Sequence, residues 1–440
     1  MSTELERIGE KARACPGLKF TSLYHHVTDV DNLQACYEAL AEDKAAGVDG
    51  ETKGTYGARL AENLRHLSER LKRSGYVPQP KRRTYVPKPG SDKKRPLGIS
   101  CLEDKIVELA VKRVLEPIYE TVFLSCSYGY RPGRSAHDGV RALGQIIQQR
   151  KVNWVVEADI RGFFDHVNHD WLLRFVEHRI GDPRIGRLIR RMLKAGIMED
   201  GLVQASPEGT PQGSVLSPLL SNIYLHYVLD IWFERRIRPR QRGEAHLVRY
   251  ADDFVVCFQA EAEARAFLAE LRTRLARFHL QLAEDKTRIL EFGRTARTNA
   301  RRAGGKPGEF DFLGFTWYCG QTRQGYFKVK RRTSRKKLGY GLAKFTEWAE
   351  KARRVMRVKA MVRSAKARVQ GHLSYYAVTD NSGRCQCFLY RATRILFKWL
   401  NRKSQRRTFT WDRFRALLKD LEWPAARIRV DVSPFTKLAD

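Results

Sequence analysis

The stretch HLVRYADDFVVCF (246–258) leaves the chain little local choice. Two runs rich in Val, Leu, Phe and Tyr flank Ala251-Asp252, so the segment reads as strand, turn, strand. Successive strand side chains point to opposite faces, so Asp252 and Asp253 reach one point only at a turn. A second buried-strand pattern, NWVVEAD (153–159), ends on Asp159. Taken alone, Asp252 reads better as a turn former. Three carboxylates together repel and raise one another's pKa values. Hard divalent cations remove that penalty, and Mg²⁺ uses few protein carboxylates because substrate phosphate oxygens complete its shell. A three-Asp cluster in a basic chain therefore points to two-metal phosphoryl transfer.

The chain is basic and unevenly so. Its 440 residues carry 82 Lys+Arg against 49 Asp+Glu, a net +33, and 42% are hydrophobic. That combination describes a globular protein of two or three domains whose partner is a polyanion. Residues 330–440 hold 29 Lys+Arg and 8 Asp+Glu, so 29 − 8 leaves +21 in that quarter and +12 in the rest. The cysteines (Cys15, Cys36, Cys101, Cys126, Cys257, Cys319, Cys385 and Cys387) form no CxxC pair. They read as reduced thiols of a cytosolic protein. No apolar run approaches the length of a membrane span.

The pattern divides into a mixed body and a helical end. Helical spacing covers 32–46, 57–74, 103–124 with a kink at Pro117, a helix to about 149, two helices in 168–198, and 260–281. Short extended pieces occupy 76–100, and FDFLGFTWYCG with GYFKVK alternates like a hairpin. From about 340 onward the pattern is helical and basic. The fold class is thus α+β with antiparallel sheet, followed by an all-helical region.

The ordered set YADD (250–253), DIRGFFDHV (159–167) and GTPQGSVLSPLLSNIYL (209–225) resembles the active-site blocks of reverse transcriptases. AGVDG, RPLGI, SYGYRPGRSAHDGV, LAEDKT and FDFLGF extend the match. GHLSYYAVTDN and FKWLNRKSQRR resemble the maturase, or thumb, region. The chain is similar over 35–410 to group II intron-encoded reverse transcriptase/maturases of the type lacking an endonuclease domain. The resemblance implies right-hand polymerase fingers and palm with an all-helical thumb. The expected divisions are 1–100 (N-terminal extension and start of fingers), 101–329 (fingers/palm), 330–400 (thumb) and 401–440 (a short basic DNA-binding-like segment). Of these, no cluster expected of an endonuclease follows residue 410.

It also implies roles. Asp159, Asp252 and Asp253, with the Ile160 carbonyl, would bind two Mg²⁺ ions. Lys286 would protonate the leaving pyrophosphate. Arg95 would grip the triphosphate, with Lys93 or Lys94 as substitutes. Phe164 would exclude a 2′-hydroxyl, Phe163 being core. Gln212 would lie by the nucleotide. Tyr250, Leu313 and Gly314 would meet the primer and template. In the basic region Arg331, Arg332, Lys336, Arg353, Arg354, Arg402, Lys403 and Arg406 are the expected RNA contacts. Ser100 stands where many relatives have proline, and only a change in loop stiffness is expected there. The implied partners are dNTPs, an RNA template with a DNA primer, the parent intron RNA, and target DNA. Two other readings remain at this level: a splicing-only RNA-binding maturase, and a related polymerase recruited to host repair or phage defence. The intact aspartates and Gln212 speak against the first, and GHLSYYAVTDN favours the intron class over the second.

Overall fold

The computed structural model describes residues 4–87, 94–199, 201–205, 207–211, 213–403 and 409–435. Its strands in chain order are β1 (Lys81–Pro87), β2 (Lys94–Ile99), β3 (Trp154–Asp159), β4 (Ile197–Glu199), β5 (Leu202–Gln204), β6 (Ala245–Tyr250), β7 (Asp253–Phe258), β8 (Arg288–Glu291), β9 (Glu309–Phe312), β10 (Phe315–Gln321) and β11 (Phe327–Thr333). They form three sheets among the described residues, ordered β2-β1-β4-β5, β6-β7-β3-β8 and β11-β10-β9. Pairing is antiparallel throughout except where β1 meets β4 in parallel.

The sheet β6-β7-β3-β8 lies at the centre. Phe254, Val256 and Phe258 of β7 bury into a core shared with the N-terminal helices and the helix Leu102–Tyr119. Val255 and Cys257 bury on the other side, among Val140 and Leu143 of the helix Ala136–Gln149 and Phe310 and Trp317 of the third sheet. Burial on both faces explains why FVVCF is continuously apolar and does not alternate with polar residues. Pro117 stands inside the last turn of its helix, which ends at Tyr119. Its ring removes the bond that residue 117 would donate to the Arg113 carbonyl, and the helix ends two residues later.

The helical stretch 217–237 is not uniform. Ser217–Leu225 is α-helical, whereas His226–Asp230 and Phe233–Ile237 are π-helical. Such insertions re-aim side chains and frequently sit near functional sites. Here the first one carries Asp230.

Beyond β11 four helices, Arg335–Val355, Val358–Tyr376, Ser382–Asn401 and Trp411–Asp420, enclose a separate core of Leu342, Phe345, Val362, Leu373, Phe388, Leu396 and Phe414. The expected division at 329/330 falls within β11. After the last helix the chain turns back toward the central sheet. Val430 bridges to Val378, and Val432 is fully buried beside Val140 and Leu143. Gln149 Nε2 donates to the Pro434 carbonyl at 2.9 Å. Within the described part of the segment expected to bind DNA, Phe414, Leu418, Pro424, Val432 and Pro434 are buried and most other residues are exposed. Among the described residues no helix is long and apolar enough to cross a membrane.

Candidate active site

The strand register assembles the carboxylates. In β3 and β7 Asp159 lies directly opposite Asp253, so both side chains leave the same face of the sheet. Across the hairpin Tyr250 pairs with Asp253, leaving Ala251 and Asp252 as a two-residue turn. Ala251 adopts φ +56°, a left-handed conformation that tight hairpins require and Ala tolerates poorly. Ile160 follows Asp159 and is fixed by a bridge to Leu282. The Ala283 N–H donates to the Asp159 carbonyl at 2.8 Å. The turn Glu284–Lys286 is thereby hung beside β3, and Lys286 Nζ donates to Asp159 Oδ2.

Burial, then the neighbouring Asp159 and Asp252 charges, push the Asp253 carboxyl up to about 7, against a pull from a Leu313 backbone hydrogen bond. Burial and Asp159 also raise Asp252, while its own backbone, Arg95 and Lys286 pull it down. For Lys286, burial alone would lower the ammonium; the Asp159 hydrogen bond and charge outweigh it and raise it. Ionising Asp253 therefore works against its burial and its two neighbouring carboxylates, and added positive charge there would ease it. Among the described residues no three His, Cys, Asp or Glu side chains cage an ion by themselves. Hard carboxylate oxygens that repel one another, at an open face, still fit a divalent cation whose shell is completed by phosphate.

The residues expected around a nucleotide converge from three elements. Phe163 is core, 2% exposed, and Phe164 is half-buried against it, the rings 5.5 Å apart. The Thr210 N–H donates to the Phe164 carbonyl at 2.7 Å, which seats the 209–211 loop on that turn. Gln212 lies outside the described residues, and Lys93 does too. Gly213, at φ +110°, crosses β2 so closely that a Cβ would come within 2.8 Å of the Gly98 carbonyl. Arg95 is exposed on β2, paired in register with Val86.

One buried carboxylate joins these elements. Glu108 accepts from Lys81 Nζ at 2.7 Å, from Ser100 Oγ at 3.1 Å and from the Val215 N–H at 2.9 Å. Ser100 thus does more than alter loop stiffness: its hydroxyl satisfies part of a buried ion pair, which proline could not do.

On the opposite side Leu313 (φ +51°) and Gly314 (φ +79°) form the two-residue turn between β9 and β10. Tyr375 Oη donates to the Leu313 carbonyl at 2.8 Å and the Ser334 N–H to the Gly314 carbonyl at 3.0 Å. Of the expected primer-side residues, Tyr250 lies opposite Asp253 in register and the Leu313 backbone hydrogen-bonds Asp253, with Gly314 next in the turn.

The expected RNA-binding cations separate. Lys336, Arg354 and Arg402 are exposed. Arg332 pairs with Glu309 at 2.6 Å. Arg353 stacks over Trp399 at 5.1 Å, and Lys403 Nζ donates to the Arg353 and Met356 carbonyls at 2.7 and 2.6 Å. Arg406 lies outside the described residues. Arg331 is a correction: it is 0% exposed, lies over Trp317 at 5.1 Å, and donates to the Val432 carbonyl at 2.7 Å. It holds the returning C-terminal chain and has no surface to offer RNA. KRRTSRKK reads as a charge run, but strand alternation sends Arg331 inward.

The sequence reading missed Arg249. This residue is fully buried, and its Nε and Nη2 donate to Asp230 at 2.7 and 2.6 Å. Nη1 donates to Asn222 Oδ1 and to the Ala251 carbonyl, both at 3.0 Å, and Nη2 also reaches Ser127 Oγ at 2.8 Å. Asn222 in turn donates to the Gly129 carbonyl at 2.7 Å. The network clamps the carboxylate turn from behind. The signal was available: a guanidinium inside an apolar strand demands a buried partner.

Two carboxylates in register across a central antiparallel sheet, with a third at the adjoining turn, suit two-metal phosphoryl transfer. Residues 86–317 match the family model described as reverse transcriptase (RNA-dependent DNA polymerase), and the chain belongs to that family. It is 36% identical over 321 residues to Protein YkfC of Escherichia coli, covering 65% of this chain and 84% of that one. It is 33% identical over 302 residues to the group II intron-encoded protein LtrA of Lactococcus lactis, covering 66% of this chain and 50% of that one. This chain thus spans about half the length of the lactococcal relative. It is also 31% identical over 129 residues to nuclear intron maturase 3 of Arabidopsis thaliana, covering 29% of this chain and 18% of that one.

Proposed function

We propose that the chain copies RNA into DNA from a primer 3′-hydroxyl as a group II intron-type reverse transcriptase, and that its C-terminal helices bind the parent intron RNA and assist its splicing and mobility. The observation that carries the reading is the Asp159–Asp253 register beside the Ala251-Asp252 turn. Asp159, Asp252, Asp253 and the Ile160 carbonyl are the residues that would hold Mg²⁺. When bound, such ions activate the primer hydroxyl and neutralise the triphosphate.

The chain's own groups then have defined work. Lys286, charged and bonded to Asp159, is poised to give a proton to the departing pyrophosphate. Arg95 offers a planar guanidinium to the triphosphate. Phe164, seated by Thr210, presents ring volume against a 2′-hydroxyl. Gln212 is assigned to the nucleotide and Tyr250, Leu313 and Gly314 to the primer and template. Lys336, Arg354 and Arg402 track phosphates of the intron RNA or of the template–primer duplex, and target DNA is the expected acceptor in mobility. The working compartment is the cytosol. The thumb is residues 330–400, and 401–440 is the short basic segment assigned to DNA.

Primer extension with purified protein on poly(rA)/oligo(dT), dTTP and Mg²⁺ tests this. Extension that stops on chelation is expected. RNA binding without extension would instead mark a splicing-only maturase.

A further inference from the structure

Tyr130 is a tyrosine at φ +57°, a left-handed conformation that is an outlier for a bulky residue and is strained. Tyr130 is 50% exposed, so its own packing offsets little of that strain. Interactions of its neighbours hold the backbone there. A Cβ on Gly129 would come within 2.4 Å of the Ala251 nitrogen, so the preceding residue is pressed onto the carboxylate turn. Asn222 holds the Gly129 carbonyl, and the Tyr128 N–H donates to the Arg249 carbonyl at 2.9 Å. Arg131, on the other side, donates to the Leu124 and Ser127 carbonyls at 2.8 and 2.9 Å and to Glu120. The Tyr130 ring is left standing beside Tyr250, centroids 6.2 Å apart, at 45°.

Resting on the polymerase reading, we propose that Tyr130 is a wall of the incoming-nucleotide site, held in its strained conformation so that the ring meets the dNTP between the carboxylate turn and Arg95. Burial, then the Asp252 and Tyr250 charges, raise its phenol, and Arg95 lowers it. The ring thus stands against Tyr250 and within electrostatic reach of Asp252 and Arg95.

The test compares Tyr130→Asn with Tyr130→Phe. Asn tolerates the left-handed region and lacks the ring. Tyr130→Asn is expected to melt at or above the parent temperature, to raise the dNTP KM roughly tenfold, to change kcat less than about threefold, and to leave primer–template affinity unaltered. Tyr130→Phe keeps the ring and is expected to stay within about threefold in KM; it also serves as the check if the Asn variant does not fold, since a KM loss there of tenfold or more would overturn the ring-based account. A KM within about twofold of the parent in Tyr130→Asn overturns the proposal, as does a weakened primer–template affinity with unchanged KM. A parent protein that does not extend primers overturns the polymerase reading itself, which separates the two failures.

Discussion

Behind the carboxylate turn Arg249 and Asp230 are buried and paired, whereas on the C-terminal helices several cations stand in solvent. Arg249 and Asp230 are both 0% exposed and joined by two hydrogen bonds; Lys336, Arg354 and Arg402 are exposed along separate helix ends. Buried pairs are costly to desolvate and unforgiving in geometry, so they fix one position. Exposed cations fix nothing individually and act by summed neutralisation of a polyanion. The first region should respond to single substitutions with large, localised losses. The second should respond with small losses that add.

The largest effect is expected at Arg249→Met. It strands the Asp230 carboxylate, so stability should fall by about 3–5 kcal/mol, and extension should fall roughly 10²-fold as the turn loses its clamp. Adding Asp230→Leu should restore the melting temperature and leave extension low, because the Ala251 carbonyl and Asn222 remain without the guanidinium. A double variant as active as the parent would show that the turn holds its place unaided.

A smaller effect follows from Asp253. Its carboxyl is raised from 3.8 to about 7. Between those values the unfolded chain has released the proton and the folded chain still holds it. The folded state therefore binds more protons, and this group's contribution to stability declines as pH rises from about 4 to 7 and is flat above. In chelator, Asp253→Asn should remove that decline and stabilise the protein at pH 8 by on the order of 2–4 kcal/mol. Melting curves from pH 4 to 8 check it; parallel pH profiles for parent and variant would contradict it.

The smallest effects separate cations within the basic region. Lys336→Ala with Arg354→Ala should shrink the salt slope of RNA binding by about one for each phosphate that is no longer neutralised, with no change in melting temperature. Arg331→Met should do the reverse, since its guanidinium ties β11 to the Val432 carbonyl. An Arg331 variant that weakens RNA binding while melting normally would return that residue to the surface.

The same contrast governs what the sequence discloses. The hairpin around Ala251-Asp252 is legible because β-branched and aromatic runs on both sides of it permit little else. Its meeting with Asp159 follows from chemistry and family blocks, and the register places Asp159 opposite Asp253. Arg249 escapes notice because its partner, Asp230, lies on a π-helical insertion that no periodicity announces. Arg331 misleads because composition marks a basic run without saying which face of a strand each cation occupies. Glu108 is invisible for a third reason: its partners Lys81, Ser100 and Val215 come from segments far apart in the chain.

The most direct test is primer extension by Asp252→Asn on an RNA template with Mg²⁺, read beside RNA affinity. Extension should fall by roughly 10³-fold or more, with RNA affinity within about twofold of the parent. Extension within a few-fold of the parent would contradict the assignment of the carboxylate turn as the polymerase centre.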